Sequence, residues 1–334
     1  MRHAVMFCLV AALMLSACAG GATPAPAEAP PEPTNTPAPP TSTPLPPTPT
    51  PTSTPEPDYL GGGSGRLAFI SDRLGPGTTN LFMMSVEGED VVRVSEGVTP
   101  AYPDFSPDGQ TIAFSSMDGG SWAIYTIETD GSNLTQVTDF SSAVADWSPD
   151  GQRLVFNSDH RNEAPNVPDL YAMNVDGTDL VELVDSPETL DFNARWSPDG
   201  SQICFSSDRA GAINLFVMDA DGSNITQLTT GDGTDQQPDW SPDGSRIAFV
   251  SDRTGNRELY VMDADGGNLT QLTETSATEG GPNWSPDGQY LAYHASVEGI
   301  THIFIMSADG SQVTQVTDDD YNSAFPIWQP RLGS

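Results

Sequence analysis

One turn, written six times, limits what this chain can fold into. Phe105-Ser106-Pro107-Asp108-Gly109 is the first copy; Trp147, Trp196, Trp240 and Trp284 each open a Trp-Ser-Pro-Asp-Gly, and Trp328-Gln329-Pro330 is a degenerate sixth. The copies start 42, 49, 44, 44 and 44 residues apart. A fixed period of this length marks a repeat architecture, in which each unit buries its apolar faces on its neighbours.

Each turn is followed by a short apolar strand: Ile112-Ala113-Phe114, Leu154-Val155-Phe156, Ile203-Cys204-Phe205, Ile247-Ala248-Phe249 and Leu291-Ala292-Tyr293, with Leu67-Ala68-Phe69 standing before the first turn. A second strand carries an aromatic (Phe82, Tyr125, Tyr171, Phe216, Tyr260, Phe304) and ends at a glycine, preceded by aspartate in five of the six copies. Asp-Gly predicts a two-residue hairpin with both positions at positive φ. A third strand reads Leu134-Thr135-Gln136-Val137 or Ile225-Thr226-Gln227-Leu228, and the stretch leading into each tryptophan supplies a fourth. Four strands per repeat, six times, predict an all-β, six-bladed propeller of four-stranded blades. The strands are apolar runs because each blade lies between two others. The chain enters the repeat at Leu67 and leaves it at Trp328, so pairing those two ends completes the last blade and removes the open edges of a solenoid.

The Trp-Ser-Pro-Asp-Gly turns, the Ser-Asp-Arg at 71–73, 207–209 and 251–253, and Tyr-Val-Met-Asp-Ala-Asp-Gly at 260–266 resemble TolB-type propeller repeats, WD-like units similar also to the propeller of prolyl oligopeptidases. The resemblance covers about residues 65–330. It implies the fold and an extracytoplasmic binding role. TolB itself places an α/β domain before its propeller, and the oligopeptidases add a hydrolase domain. Here a Thr/Pro stalk is expected in place of the first, and nothing of the second's size is expected after the closing strand.

What precedes the repeats is of another kind. Arg2 and His3 lead into an apolar run, Ala4 to Leu15, too short to span a bilayer but suited to a signal peptide. It ends in Leu15-Ser16-Ala17-Cys18, which resembles the bacterial lipobox and implies cleavage before Cys18 and lipidation of that thiol. Half of the chain's 30 prolines fall before residue 60. Such a Thr/Pro tract favours extended polyproline II, and so a stalk. Gly61-Gly62-Gly63-Ser64-Gly65 is expected as a flexible joint. The expected domains are a signal peptide at 1–17, a lipidated stalk at 18–64 and a propeller at 65–334.

Forty-six acidic residues face 12 basic ones, all arginine, for a net charge of −34. That field repels phosphate backbones and anionic headgroups, so nucleic acid is not an expected partner and membrane contact is expected through the lipid alone. Of three cysteines, Cys204 lies in a strand and is expected to be a small buried hydrophobe. Four scattered histidines give no zinc pattern, and Asp263 to Glu274 places glycine and asparagine where a calcium loop needs an oxygen ligand and a glycine. No metal or cofactor is expected. There is no Gly-x-Ser-x-Gly elbow and no Cys–His couple.

Antiparallel alternation sorts the loops. The Ser-Pro-Asp-Gly and Asp-Gly turns fall on one face, and the more variable loops and blade connections fall on the other, where specificity is expected. The longest departure runs from Phe156 to Tyr171 and holds His160, Arg161 and Glu163. A second candidate set precedes the turns, where the innermost strands near the channel: Tyr102, Asp104, Asp146, Asn193, Arg195, Gln237, Asp239 and Asn283. Arg195 is a cation where other copies offer Asp, Asn or Ile; it either holds an anionic group or, the preferred reading, pairs with Asp146 or Asp239. The function expected is a non-catalytic, monomeric scaffold for a protein or peptide, with a glycan as the other ligand class. The rival is a lyase or hydrolase at the channel mouth acting on a polysaccharide or peptide.

Overall fold

The structure is a computed structural model that describes residues 60–75, 77–160, 167–231 and 233–331. Strands are numbered β1 to β24 in chain order. The described residues form six four-stranded antiparallel sheets. Their innermost strands are β4 (Pro100–Phe105), β8 (Ala143–Trp147), β12 (Asp191–Trp196), β16 (Asp235–Trp240), β20 (Thr278–Trp284) and β24 (Ser323–Trp328), and these contact one another in a closed ring. Five blades use four consecutive strands. The sixth has the order β24-β1-β2-β3, with β1 (Arg66–Ser71) between the chain's last strand and β2 (Asn80–Ser85). Leu67 pairs with Trp328 and Ser71 with Ser323, so the two ends do close one blade.

Second strands are buried on both faces, as in Leu67 to Ser71 and Ile247 to Ser251, because neighbouring blades interleave their side chains. Cys204, Leu215 and Val217 of one blade pack on Trp240, Ile247, Phe249 and Tyr260 of the next, and Cys204 is fully buried. Cross-strand aromatics stack in all six blades, from Tyr293–Phe304 at 5.4 Å to Phe156–Tyr171 at 6.1 Å. Burying each such ring is worth about 1.5–3 kcal/mol. Outer strands are short; β19 is only Thr270–Gln271, which limits the exposed edge.

The repeated turn is a hydrogen-bonded unit. Ser241 Oγ donates to Asp243 Oδ1 at 2.6 Å and accepts the Arg246 N–H, while Gly244 N–H closes the turn on Ser241 O. Bonds to the Ser241 hydroxyl and the Ser245 N–H hold the Asp243 carboxyl down at about 2. Ser106, Ser148, Ser197 and Ser285 repeat the Ser–Asp bond. The motif is thus a strand reversal, and its aspartates are committed to it.

Two expectations need correction. The Asp-Gly hairpins are not two-residue turns: Gly266 has φ +86° while Asp265 stays at negative φ, and Gly266 N–H bonds back to Asp263 O. A second left-handed residue, Asn268 at +50°, re-aims the chain into its short outer strand, so two separate bends replace one tight turn. Nor is the glycine run a free joint. A Cβ on Gly61 would stand 2.5 Å from the Trp328 ring, Asp287 N–H donates to Gly61 O, and Ser64 N–H donates to Gln329 O. Gln329 in turn donates to Gly109 O. The glycines are there because their backbone lies flat on the turn face, where Ser64 and Gln329 take the place of the missing sixth turn.

Candidate functional site

Every innermost strand is broken at one place. The ladder slips between Ala101 and Asp104, Ala143 and Asp146, Phe192 and Arg195, Gln236 and Asp239, Gly280 and Asn283, and at Ala324–Ile327. At each slip one residue takes a left-handed conformation: Tyr102, Val144, Asn193, Gln237, Gly281 and Phe325, all with φ between +51° and +56°. Proline follows in four of the six, a residue confined within sheets to edges and bulges. The bulge gives neighbouring residues two different jobs.

The residue at the bulge faces the channel. Tyr102, Val144, Asn193, Gln237, Gly281 and Phe325 line one opening, together with Arg195 and Asn283. In four blades the residue before the strand's closing aromatic turns sideways. Asp104 accepts the Trp147 N–H at 3.0 Å, Asp146 the Trp196 N–H at 2.7 Å, Asp239 the Trp284 N–H at 2.6 Å and Asn283 the Trp328 N–H at 2.9 Å. These candidates therefore staple each blade to the next. In the same place Arg195 cannot accept; its guanidinium reaches Asp146 at 2.7 Å and Asp104 at 3.6 Å, which is the pairing preferred from sequence.

The charges under the mouth are tightly coupled. Burial, and then the neighbouring Asp146, push Asp104 up to about 8, against the pull of Arg195. Burial pushes Asp239 up to about 7. A carboxyl raised above its unfolded value binds extra protons when folded, so its favourable contribution is complete below about pH 4 and is lost as pH rises through 7. Asn283 does the same stapling without a charge. We therefore expect Asp239→Asn to fold and to flatten the loss of stability between pH 5 and 8 by on the order of 1 kcal/mol, read from urea midpoints across pH.

Two residues beside those of the mouth carry no sequence signal of the kind used above. His294 lies over Gly280 and Gly281, where any Cβ would strike its ring, and its Nδ1 accepts the Phe325 N–H at 3.3 Å. Burial first, and Arg257 second, hold it down near 3, so it is a neutral imidazole beside Phe325 and not a base in waiting. The glycine pair at a bulge where other blades carry side chains is the clue to it. Arg257 is partly buried near Tyr102 and His294, and among the described residues it has no ion pair. Its own pKa is lowered by burial.

Of the loop candidates only His160 is described, and it does not line this opening. His160 stacks on Phe140 at 4.3 Å, while Arg161 and Glu163, like Cys18, fall outside the described residues. Asp169, Glu182 and Asp185 converge within 4.8 Å, but Asp169 accepts the Ser186 N–H and Glu182 the Tyr171 hydroxyl. Among the described residues no histidine ring bonds a serine or cysteine, the His160–Ser158 bond being from the histidine's backbone N–H, and burial raises the Cys204 thiol far above its usual range.

A family model described as the TolB beta propeller domain matches residues 141–241 and 232–333, more than half of the chain. The chain belongs to that family. TolB from Acinetobacter baumannii superposes on this TolB-type propeller with a TM-score of 0.70 at 26% identity, covering 80% of this chain and 67% of that one. The putative TolB from Agrobacterium tumefaciens gives 0.62 at 20% identity, over 80% of this chain and all of the other. An oligogalacturonate lyase from Vibrio parahaemolyticus shares the fold at 15% identity, with a TM-score of 0.53 over 77% of this chain and 75% of the lyase. The fold alone thus accompanies both non-enzymatic and enzymatic proteins, and the site must decide.

Proposed function

We propose that this TolB-type propeller is a non-catalytic binding scaffold of the bacterial cell envelope, lipid-anchored through Cys18, whose channel mouth takes a protein or peptide. The observation that carries the reading is the division of labour at the bulges. Residues that differ from blade to blade face one opening, while the carboxylates beside them are spent on holding the blades together. A rigid ring that offers Tyr102, Asn193, Gln237 and Phe325 to the same space is suited to reading a ligand's shape and polar pattern. Arg257, whose charge acts on the lining residue Tyr102, favours a ligand that brings a carboxylate or amide oxygen, in a chain whose net charge of −34 repels acidic partners elsewhere.

The tether supports the same orientation. Gly61 seats on the turn face, so a lipid-anchored stalk would join the propeller there and leave the opposite face free. The test is capture from cell-envelope extract by the full chain. Arg257→Glu and Tyr102→Ala should each lose at least tenfold of the captured partner, while Asp130→Arg on the turn face keeps it. Equal capture by all three removes the mouth as the site. Turnover of a polysaccharide or peptide panel by the purified chain would instead move it to the lyase or hydrolase reading.

A further inference from the structure

The repeats serve as controls for one another, and one blade breaks a pattern the others keep. Three blades place an arginine four residues after the aromatic of the strand next to the innermost one (Phe69, Phe205 and Phe249): Arg73, Arg209 and Arg253. Each guanidinium lies 5.0–5.8 Å over its blade's stacked aromatic pair. Two of these blades also carry a buried carboxylate five residues before the tryptophan, and there the arginine neutralises it: Arg209 to Asp191 at 2.7 Å and Arg253 to Asp235 at 2.8 Å.

The blade of β20, β21 (Tyr290–Val297) and β22 (Ile300–Ser307) has everything but the cation. Glu279 stands five residues before Trp284, and Tyr293 and Phe304 form the aromatic pair. The arginine position, four residues after Tyr293, is Val297, 42% exposed at the end of its strand. In place of an arginine, Glu258 of the adjacent blade meets Glu279. Both glutamates are 2% exposed. Glu258 Oε1 accepts the Thr275 N–H at 3.0 Å and Glu279 Oε1 accepts the Thr275 hydroxyl at 2.5 Å. The Oε2 of each is buried and has no partner. Burial, and after it the Glu258 charge, push Glu279 up to about 7 although the Thr275 hydroxyl works the other way.

Buried carboxylates are stable when paired or when they coordinate a metal. Asp191 and Asp235 each have an arginine, whereas among the described residues neither glutamate has an ion pair. A divalent ion neutralises both glutamates. The oxygens at the seat are the two carboxylates and the Thr275 hydroxyl, with Asn256 Nδ2 donating to Glu258 Oε1 and to the Thr275 and Ala277 carbonyls of the same turn. Such a set suits a hard cation, and the larger, more adaptable calcium before magnesium. We infer that Glu258 and Glu279, with the Thr275 hydroxyl, form a calcium site at the seam between these two blades, where the ion replaces the arginine of the sister blades.

The test uses the full chain, stripped with chelator and titrated with calcium chloride alone, read by calorimetry and by the melting temperature. Wild type should show one tight equivalent above the weak background that so acidic a surface gives, with a rise in melting temperature. Glu279→Gln should lose that equivalent, its affinity falling at least tenfold. Val297→Arg restores the missing arginine without removing a donor. It should abolish tight calcium binding, and its calcium-free melting temperature should match or exceed that of calcium-loaded wild type. Equal calcium responses from wild type and Glu279→Gln would overturn the site, as would an unchanged tight equivalent in Val297→Arg.

Discussion

Arg195→Met should cost about 3–5 kcal/mol at pH 8, as expected when one partner of a buried ion pair is removed. The side chain fits the space, so the loss is electrostatic. Arg195 is the one cation that the described channel wall sets against Asp104, Asp146 and Asp239, and it is only 21% exposed, with Asp146 at 12% and Asp104 at 16%. Without it three carboxylates face one another in a narrow space, and Asp104 and Asp239 already sit near 8 and 7 with the arginine present. Protonation relieves that repulsion. The sign follows: raised carboxyls bind more protons in the folded state, so the variant should recover much of its loss at pH 5. Urea unfolding at both pH values checks this. A loss that is equal at pH 5 and 8 would mean that Arg195 acts by packing.

Trp328→Ala should destabilise by about 3–5 kcal/mol, in the range of large aromatic truncations. Trp328 is 4% exposed and closes the ring in three ways at once. Its ring packs on Gly61, its backbone N–H reaches Asn283 Oδ1 at 2.9 Å, and its indole N–H reaches the Asn283 carbonyl at 3.2 Å. Leu67, its ladder partner, shares one core with it. The same change at Trp147, which is only partly buried, should cost less. Calorimetric melting of the two variants side by side would test the ranking; equal losses would show that the closing blade is no more dependent on its tryptophan than the others.

Much of the fold was legible because the sequence repeats. A period of 44, a turn that repeats almost unchanged and an offset entry at Leu67 are enough to derive six blades and their closure. The bulges were less legible, although the proline two residues before several tryptophans marks them. Without the bulge, the residue before tryptophan reads as channel-facing, which is why Asp104, Asp146 and Asp239 looked like ligand contacts when they are inter-blade staples. His294 and Arg257 come from a second strand and from the loop before a third, so no local pattern points them at the mouth. Only the three-dimensional ring brings them beside Phe325 and Tyr102. The Gly run misled for a related reason: glycine signals both freedom and close approach, and sequence does not say which.

The closing blade also sets an order of events. β1 is among the first strands made, yet its inner neighbour β24 is the last, and Leu67 waits for Trp328 across nearly the whole domain. Until then one edge of β1 is open, and the ring of blades has a gap on both sides of it. Non-local closures of this kind are slow, and they leave strand edges exposed to other chains while they wait. The last strand therefore acts as a latch on synthesis: a copy cut short before Ser323 would hold five complete blades and a sticky edge. Such a product should be cleared or aggregate, so that only finished chains present a mouth.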